Sequence, residues 1–514
     1  MKKTTLYLLI LTIFLLACNT LLSDDTSPEA SNAPVSTSSE VGYQPRACPF
    51  DVKASDATIE CGYLTVPENR SKADHVMIEL AVAILRASGS EVAPDPIIYL
   101  EGGPGGSALD SFSSDLETWL DHPFQQDHDL IFIDQRGTGY SHPTLDCPEN
   151  EAYDDEIEAL TTCRDRLLDE GIDLTAYNSI ENAADVVTLW QTLGYEQVNL
   201  YGISYGTRLG LAIMRDHPAQ VRSVVLDSPF PPNIDTPIQD SFANLSTFQK
   251  LFQGCANDSA CNEAYPNLED IFLKTVIRLD NEPGVANLYD WNEDEYYEAE
   301  VTGYDLMGTL VQAMYDVYTI PMLPRMIYDT ANDDFEAYSL VIDYTGYRRM
   351  PVRQSVEDVS DSEGMFHSVT CRDEYSYTAY ETVEQKIVSQ APTALQENLL
   401  YDSSSMFESC ELWGAGQAPA YADEAVVSDI PTLILTGEYD PVTPTSWGEL
   451  ALETLENGYL YEFRGFGHAV SSEPGCAADM MTEFFSNPTV APNSDCLQDI
   501  PNPNFILPNE ELEN

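Results

Sequence analysis

The chain has 514 residues, enough for one large domain with an insertion or for two compact domains. It carries 86 acidic against 23 basic side chains, a formal charge of −63. Such a surface repels nucleic acid phosphates and anionic headgroups, so neither is expected as a partner. It would favour cationic ligands such as free amino termini, but a solubilising surface suited to salty or cold surroundings explains it equally, and acidity identifies no substrate.

Lys2 and Lys3 precede an apolar run from Leu6 to Leu16, too short to span a bilayer as a helix. Leu15-Leu16-Ala17-Cys18 closes it and resembles the lipobox of bacterial lipoprotein signal peptides. That resemblance implies lipidation of Cys18, which would become the new N-terminus, and an exported protein held on a membrane of the cell envelope; an ordinary signal peptide is the alternative. Residues 1–18 are thus expected to be a targeting segment. Residues 19–45, rich in Ser, Thr, Pro and Asp, are expected to be a disordered tether. Setting Cys18 aside leaves ten of eleven cysteines, an even number that suits an oxidising compartment. They fall along the chain as Cys48 with Cys61, Cys147 with Cys163, Cys255 with Cys261, Cys371 with Cys410 and Cys476 with Cys496. Sequence does not fix connectivity, and nearest-neighbour pairing is the expectation. No Cys-x-x-Cys or histidine cluster points to a metal site, and no cofactor is expected.

Ile59 to Pro67 and Val76 to Arg86 read as paired strands, and Pro96 to Leu100 as a short buried one. Glu101-Gly102-Gly103-Pro104-Gly105-Gly106 follows, a loop whose backbone can approach a ligand closely and offer a main-chain N–H to an oxyanion. Leu130 to Ile133 is a further strand, and the loop Asp134-Gln135-Arg136-Gly137-Thr138-Gly139 after it reads as structural. A helix from Ile180 ends at Leu193 before Gly194. Then comes the strand Val198 to Leu200 and Tyr201-Gly202-Ile203-Ser204-Tyr205-Gly206. Gly-x-Ser-x-Gly between strand and helix is a nucleophile elbow, with small residues two before and two after a serine at the apex of a strained turn. Ser204 is the expected nucleophile, and the Tyr205 N–H the second oxyanion donor. Val221 to Leu226 is a strand ending in Asp227. From Phe230 to about Asp429 the alternation of strand and helix gives way to tyrosine-rich helical segments, read as a cap inserted into the sheet. Alternation resumes at Pro431 to Thr436 and Tyr459 to Phe463. The expected fold is α/β, a mostly parallel sheet with helices on both faces and its ligand crevice at the carboxyl ends of the strands.

A serine hydroxyl needs a base to take its proton and an acid to orient that base, in chain order serine, acid, histidine. Of the three histidines after Ser204, His217 closes a helix and His367 lies in the insertion. His468 follows a strand, in Gly465-Phe466-Gly467-His468, and is the expected base. Asp440, in Gly437-Glu438-Tyr439-Asp440-Pro441, is the expected acid, with Asp227 as runner-up and Glu438 third.

Together Gly102-Gly103-Pro104-Gly105-Gly106, Asp134 to Gly139, Gly202 to Gly206, Asp440 to Pro444 and Gly467-His468 resemble the α/β-hydrolases of the proline iminopeptidase and tripeptidyl aminopeptidase group. The resemblance spans residues about 60 to 496. It implies an α/β-hydrolase core from 46–229 and 430–514, interrupted by the mainly helical cap 230–429. It further implies a serine exopeptidase acting on peptides with a free N-terminus, with the triad Ser204, Asp440 and His468 and the oxyanion donors Gly103 and Tyr205. Relatives often have a histidine where this chain has Glu101. Because the group grips the substrate ammonium with carboxylates, Glu374 in Cys371-Arg372-Asp373-Glu374 is the candidate there, unless it only pairs with Arg372. A carboxylesterase on the same fold, a proline iminopeptidase, and a non-catalytic lipid-anchored binding protein are the alternatives.

Overall fold

The computed structural model describes residues 40–52, 58–73, 76–153, 155–290, 295–349, 361–508 and 510. The targeting segment with Cys18 and most of the tether lie outside the described residues. No helix among those described is long and apolar enough to cross a membrane.

A nine-stranded sheet organises the molecule. Its strands are β1 (Gly42–Arg46), β2 (Ile59–Pro67), β3 (Met77–Leu85), β4 (Ile97–Leu100), β5 (Leu130–Ile133), β6 (Val198–Ile203), β7 (Val221–Asp227), β10 (Thr432–Gly437) and β11 (Gly458–Phe463). The insertion contributes a separate antiparallel hairpin, β8 (Gly284–Asp290) and β9 (Glu295–Val301). The sheet order is β1-β2-β3-β5-β4-β6-β7-β10-β11. From β5 onward every neighbouring pair is parallel, and β1, β2 and β3 add an antiparallel margin. Strand order reverses at β4, which lies between β5 and β6. The glycine loop after β4 and the elbow after β6 therefore flank the switch point, where open α/β sheets form their crevice.

The parallel strands are apolar on both faces because helices cover both. Ile98, Leu200, Val224 and Ile434 point to one face, against Leu189 and Trp190 of the helix Ser179–Leu193 and Leu209 of the helix Tyr205–Asp216. Tyr99, Tyr201, Val225 and Leu435 point to the other, against Phe112 and, from the helix Cys476–Ser486, Met481 and Phe484. Residues 230–429 form a largely separate core, built on Phe248, Phe272, Leu310, Met326 and Ile387.

Two features were not anticipated. Gly42 to Pro45, assigned to the tether, are in strand β1, whose main chain pairs with Cys61 to Thr65. An edge strand held by backbone bonds needs little apolar side chain, so composition did not reveal it. The hairpin β8–β9 also went unread, because Glu295, Tyr296, Tyr297 and Glu298 are exposed and leave no buried alternation.

All five nearest-neighbour disulfides are present. Cys371–Cys410 ties the segment carrying Glu374 to the helix Gln396–Trp413. With 39 residues of separation, closing that loop restricts the unfolded chain by about 4 kcal/mol. Replacing both cysteines by serine is expected to lower unfolding free energy by roughly that amount. Urea denaturation checks it, and an unchanged midpoint would contradict it.

Candidate active site

Ser204 follows β6 with a positive φ, 54°, and ψ −124°, which a non-glycine residue adopts only when its surroundings enforce it. Those surroundings are tight. A Cβ on Gly206 would lie 1.9 Å from Leu100 O, and one on Gly202 would lie 2.4 Å from Gly206 O. Both flanking glycines are thus required by packing against β4 and within the turn. The Ser204 N–H donates to Asp227 O (3.0 Å), and its carbonyl accepts from the N–H and hydroxyl of Thr207 (2.9 and 2.6 Å).

The glycine loop lies against this turn, since a Cβ on Gly102 would meet Ser204 Cβ at 3.2 Å. Gly103, with φ 106°, is exposed. Tyr205 opens the following helix, and its hydroxyl is anchored 2.9 Å from Ser179 Oγ. Among the described residues no protein acceptor takes the Gly103 or Tyr205 N–H. Glu101 folds back so that Oε1 accepts the Gly102 N–H (2.8 Å), with Tyr99 Oη 3.3 Å away. Burial raises its pKa.

Asp440 is fully buried at the end of β10. Its Oδ1 accepts the N–H groups of Val442 (3.0 Å) and Thr443 (2.9 Å), and its Oδ2 accepts the Thr443 hydroxyl (2.7 Å) and His468 Nδ1 (2.9 Å). Burial pushes the Asp440 pKa up, but the His468 charge and these hydrogen bonds outweigh it and hold it below the ordinary carboxylate value. The ionised carboxylate only accepts, so Nδ1 carries the proton and Nε2 is left for the serine. For His468, burial lowers the pKa, but the charge and hydrogen bond of Asp440, and then the Asp227 charge, outweigh this and hold it above the ordinary imidazole value. No hydrogen bond joins Ser204 Oγ to His468 here; in free hydrolases this contact is often long and tightens when substrate binds. A cleft of about 330 Å³ opens beside His468, lined by Gln312, Tyr315, Phe466, Ser472 and Glu473 among others.

The other candidate acids are occupied elsewhere. Glu438 Oε2 accepts the Gly465 N–H (2.8 Å), and the Asp227 carboxylate accepts from Val470 and Ser471 instead of the imidazole. Arg136 is buried on Asp185 (2.8 and 3.0 Å) and on the carbonyls of Glu68 and Ala176, which makes its loop structural, as read.

Glu374 does not pair with Arg372, whose Nη1 donates to Ala415 O (3.0 Å). It is buried, with Oε1 unpartnered, near Arg208, Asp373 and Asp240. Burial pushes its pKa up to about 8; Arg208 opposes this, and the Asp240 and Asp373 charges add to it. Asp240, half-buried and raised by desolvation to about 7, accepts from the Tyr375 hydroxyl (3.2 Å). Arg208, one helical turn beyond Ser204, donates to Asp373 O (2.7 Å), so this acidic group packs onto the helix that Ser204 begins. Sequence reasoning missed Asp240, 134 positions from Glu374, and Thr443. The latter had a local signal, an aspartate three residues before a threonine in a turn.

Residues 95–301 match the family described as alpha/beta hydrolase fold, and residues 401–496 one described as TAP-like protein. With the parallel sheet, its switch point and the elbow, this decides the fold. The chain is a serine hydrolase of the α/β-hydrolase fold. The hydrolase is 24% identical over 476 residues to serine protease Hip1 of Mycobacterium tuberculosis, covering 84% of this chain and 86% of that one. It is 25% identical over 481 residues to carboxylesterase B of the same organism, covering 85% and 86%. Tripeptidyl aminopeptidase of Streptomyces coelicolor is 30% identical over 198 residues, 34% of this chain and 36% of its own. The names of these relatives divide between peptide and ester chemistry, so the substrate of the hydrolase has to be argued from its own residues.

Proposed function

We propose that the hydrolase releases residues or short peptides from the free N-termini of peptides, in the manner of a tripeptidyl aminopeptidase, through an acyl-enzyme on Ser204. The observation that carries this reading is the pair of carboxyl groups, buried Glu374 and half-buried Asp240, beside the helix that Ser204 begins. Two neighbouring carboxyls raised by desolvation hold protons near neutral pH until a cation enters, and an α-ammonium group satisfies both charge and hydrogen bonding. In the proposed cycle Ser204 Oγ attacks the scissile carbonyl as His468 Nε2 takes its proton and Asp440 stabilises the imidazolium. The Gly103 and Tyr205 N–H groups receive the oxyanion. His468 then returns the proton to the leaving amine, and water, activated by the same imidazole, frees the acyl group. Residues 230–429 serve as the cap that limits how much chain passes the nucleophile.

Turnover of matched peptides with free and acetylated N-termini tests the reading. The free peptides are expected to react at least about 10²-fold faster in kcat/KM, since the acetylated ones bring no cation to make charge-assisted hydrogen bonds with the two carboxyls. Glu374→Gln is expected to erase most of that preference by raising KM for the free peptides. Equal turnover of both peptides by the wild type, or faster cleavage of short acyl esters than of any peptide, would favour the carboxylesterase reading.

We infer too that the protein is exported and anchored through a lipidated Cys18. Support comes from the cysteine balance: ten of eleven pair in disulfides, leaving Cys18 as the eleventh. Mass spectrometry of the detergent-extracted N-terminus tests it, and an unmodified Cys18 in the mature protein would overturn it.

A further inference from the structure

We propose that Asp227 is a positioning residue that registers the base against the nucleophile, holding Ser204 through its main chain and the loop after His468 through its side chain. The proposal rests on Ser204 and His468 acting together, and not on which substrate they cleave.

Asp227 is the last residue of β7, paired in register with Ile203 on one side and Leu435 on the other. It thus lies between the strand that delivers the nucleophile and the one that delivers the acid. Its carbonyl accepts the Ser204 N–H (3.0 Å). Its carboxylate accepts the N–H groups of Val470 (3.1 Å) and Ser471 (2.8 Å) and the Ser471 hydroxyl. Tyr201, on β6, places its hydroxyl 2.6 Å from Ser471 Oγ and closes the far side. The next residue continues the clamp, since Ser228 Oγ accepts the Ala469 N–H (2.8 Å). The His468 N–H itself donates to Tyr315 O (3.1 Å). Every main-chain N–H from 468 to 471 is therefore fixed, and three of the four are fixed by Asp227 and Ser228.

Backbone conformation points the same way. Six non-glycine residues among those described have positive φ, and Ser204, Ser228 and Ala469 are three of them. Positive-φ conformations at such residues persist only where surrounding bonds over-determine them, and here those bonds run through residues 227 and 228.

The carboxylate is needed as a carboxylate. Two amides and a hydroxyl converge on it, and the imidazole that faces it among the described residues, His468, is already bound to Asp440. Burial pushes the Asp227 pKa up to about 6, so above that pH it is ionised and offers acceptors alone, whereas asparagine would turn an NH₂ toward one of the donors and displace the loop. The other titratable groups facing Asp227 are the hydroxyls of Tyr201 and, further off, Tyr99. Its charge also reaches the His468 ring, which it helps to keep proton-loving.

Asp227→Asn is the test, with Ser471→Ala as the milder partner that leaves both amide bonds in place. Asp227→Asn is expected to lower kcat, and the rate of labelling by a fluorophosphonate, by about 10²-fold with KM within threefold, because a small misplacement of the base costs that much. The acid limb of its kcat/KM profile is expected to move to lower pH, since a charge raising the His468 pKa is gone. Ser471→Ala is expected to lose less than about tenfold by the same reasoning. Rates are taken per folded molecule, with the folded fraction from circular dichroism. Unchanged labelling by Asp227→Asn, or a loss with the acid limb unmoved, would overturn the proposal. Labelling is independent of peptide preference, so the substrate reading can fail without touching this one. Persistence of labelling in Ser204→Ala would instead remove the nucleophile on which both rest.

Discussion

Ser204→Ala is expected to lower kcat by about 10⁶-fold on peptides and esters alike, while KM and stability change little. The reason is geometric. Ser204 occupies a positive-φ turn that two glycines and a strand carbonyl compress, so its hydroxyl is presented at the sheet edge and contributes nothing to the core. Alanine has the same Cβ and meets no new contact. Relief of a functional strain can even stabilise the variant slightly. Steady-state rates on one free peptide and one short ester, with thermal unfolding alongside, check this. Retention of more than about one part in a thousand of activity would exclude Ser204 as the attacking group.

Asp440→Asn is expected to cost about 10⁴-fold in kcat/KM, because an asparagine NH₂ facing Nδ1 favours the tautomer whose proton sits on Nε2, where the serine proton must go. The pH profile carries a second, independent signature. In the wild type the His468 pKa is raised above 6.5, so kcat/KM falls as pH drops through that elevated value and the imidazole becomes protonated. Asp440 is the largest of the influences raising it. Removing its charge moves the acid limb of the residual activity toward lower pH even as the plateau falls. A loss of rate with an unmoved limb would mean that another group titrates there. Thr443 bears on the same point. Its hydroxyl donates to Asp440 Oδ2 and lies 3.2 Å from Nδ1, so it keeps the carboxylate aligned with the ring.

The parts of this site that sequence made legible are those whose chemistry is local. Gly202, Ser204 and Gly206 announce their turn because the collisions they avoid occur within the turn and against the strand beside it. Asp440 and His468 stand at the ends of apolar runs, and the alternation that names the strands also names the sheet edge. Glu101 was legible as a departure but not in its role, since folding back onto Gly102 depends on burial against Tyr99. The role of Asp227 was out of reach because its carboxylate binds amides more than 240 positions away; reading it as a runner-up acid was the nearest local logic allowed. Glu374 and Asp240 likewise come together only through packing within the insertion. In a chain with 86 acids, no sequence pattern singles out these two.

The same distinction explains the insertion. Its helices were readable as a change of rhythm, yet the exposed face of β8–β9 carries no periodic signal. Disulfide pairing followed sequence order because each bridge closes a short loop, the longest separation being 39 residues.

The central claim is that one hydroxyl, activated by one imidazole, does the chemistry. Peptide mapping by mass spectrometry after fluorophosphonate treatment tests it most directly. A single adduct on Ser204, formed by the wild type and lost on His468→Ala with the fold intact, is the predicted result. An adduct on another residue, or labelling of Ser204 at an undiminished rate without His468, would contradict it.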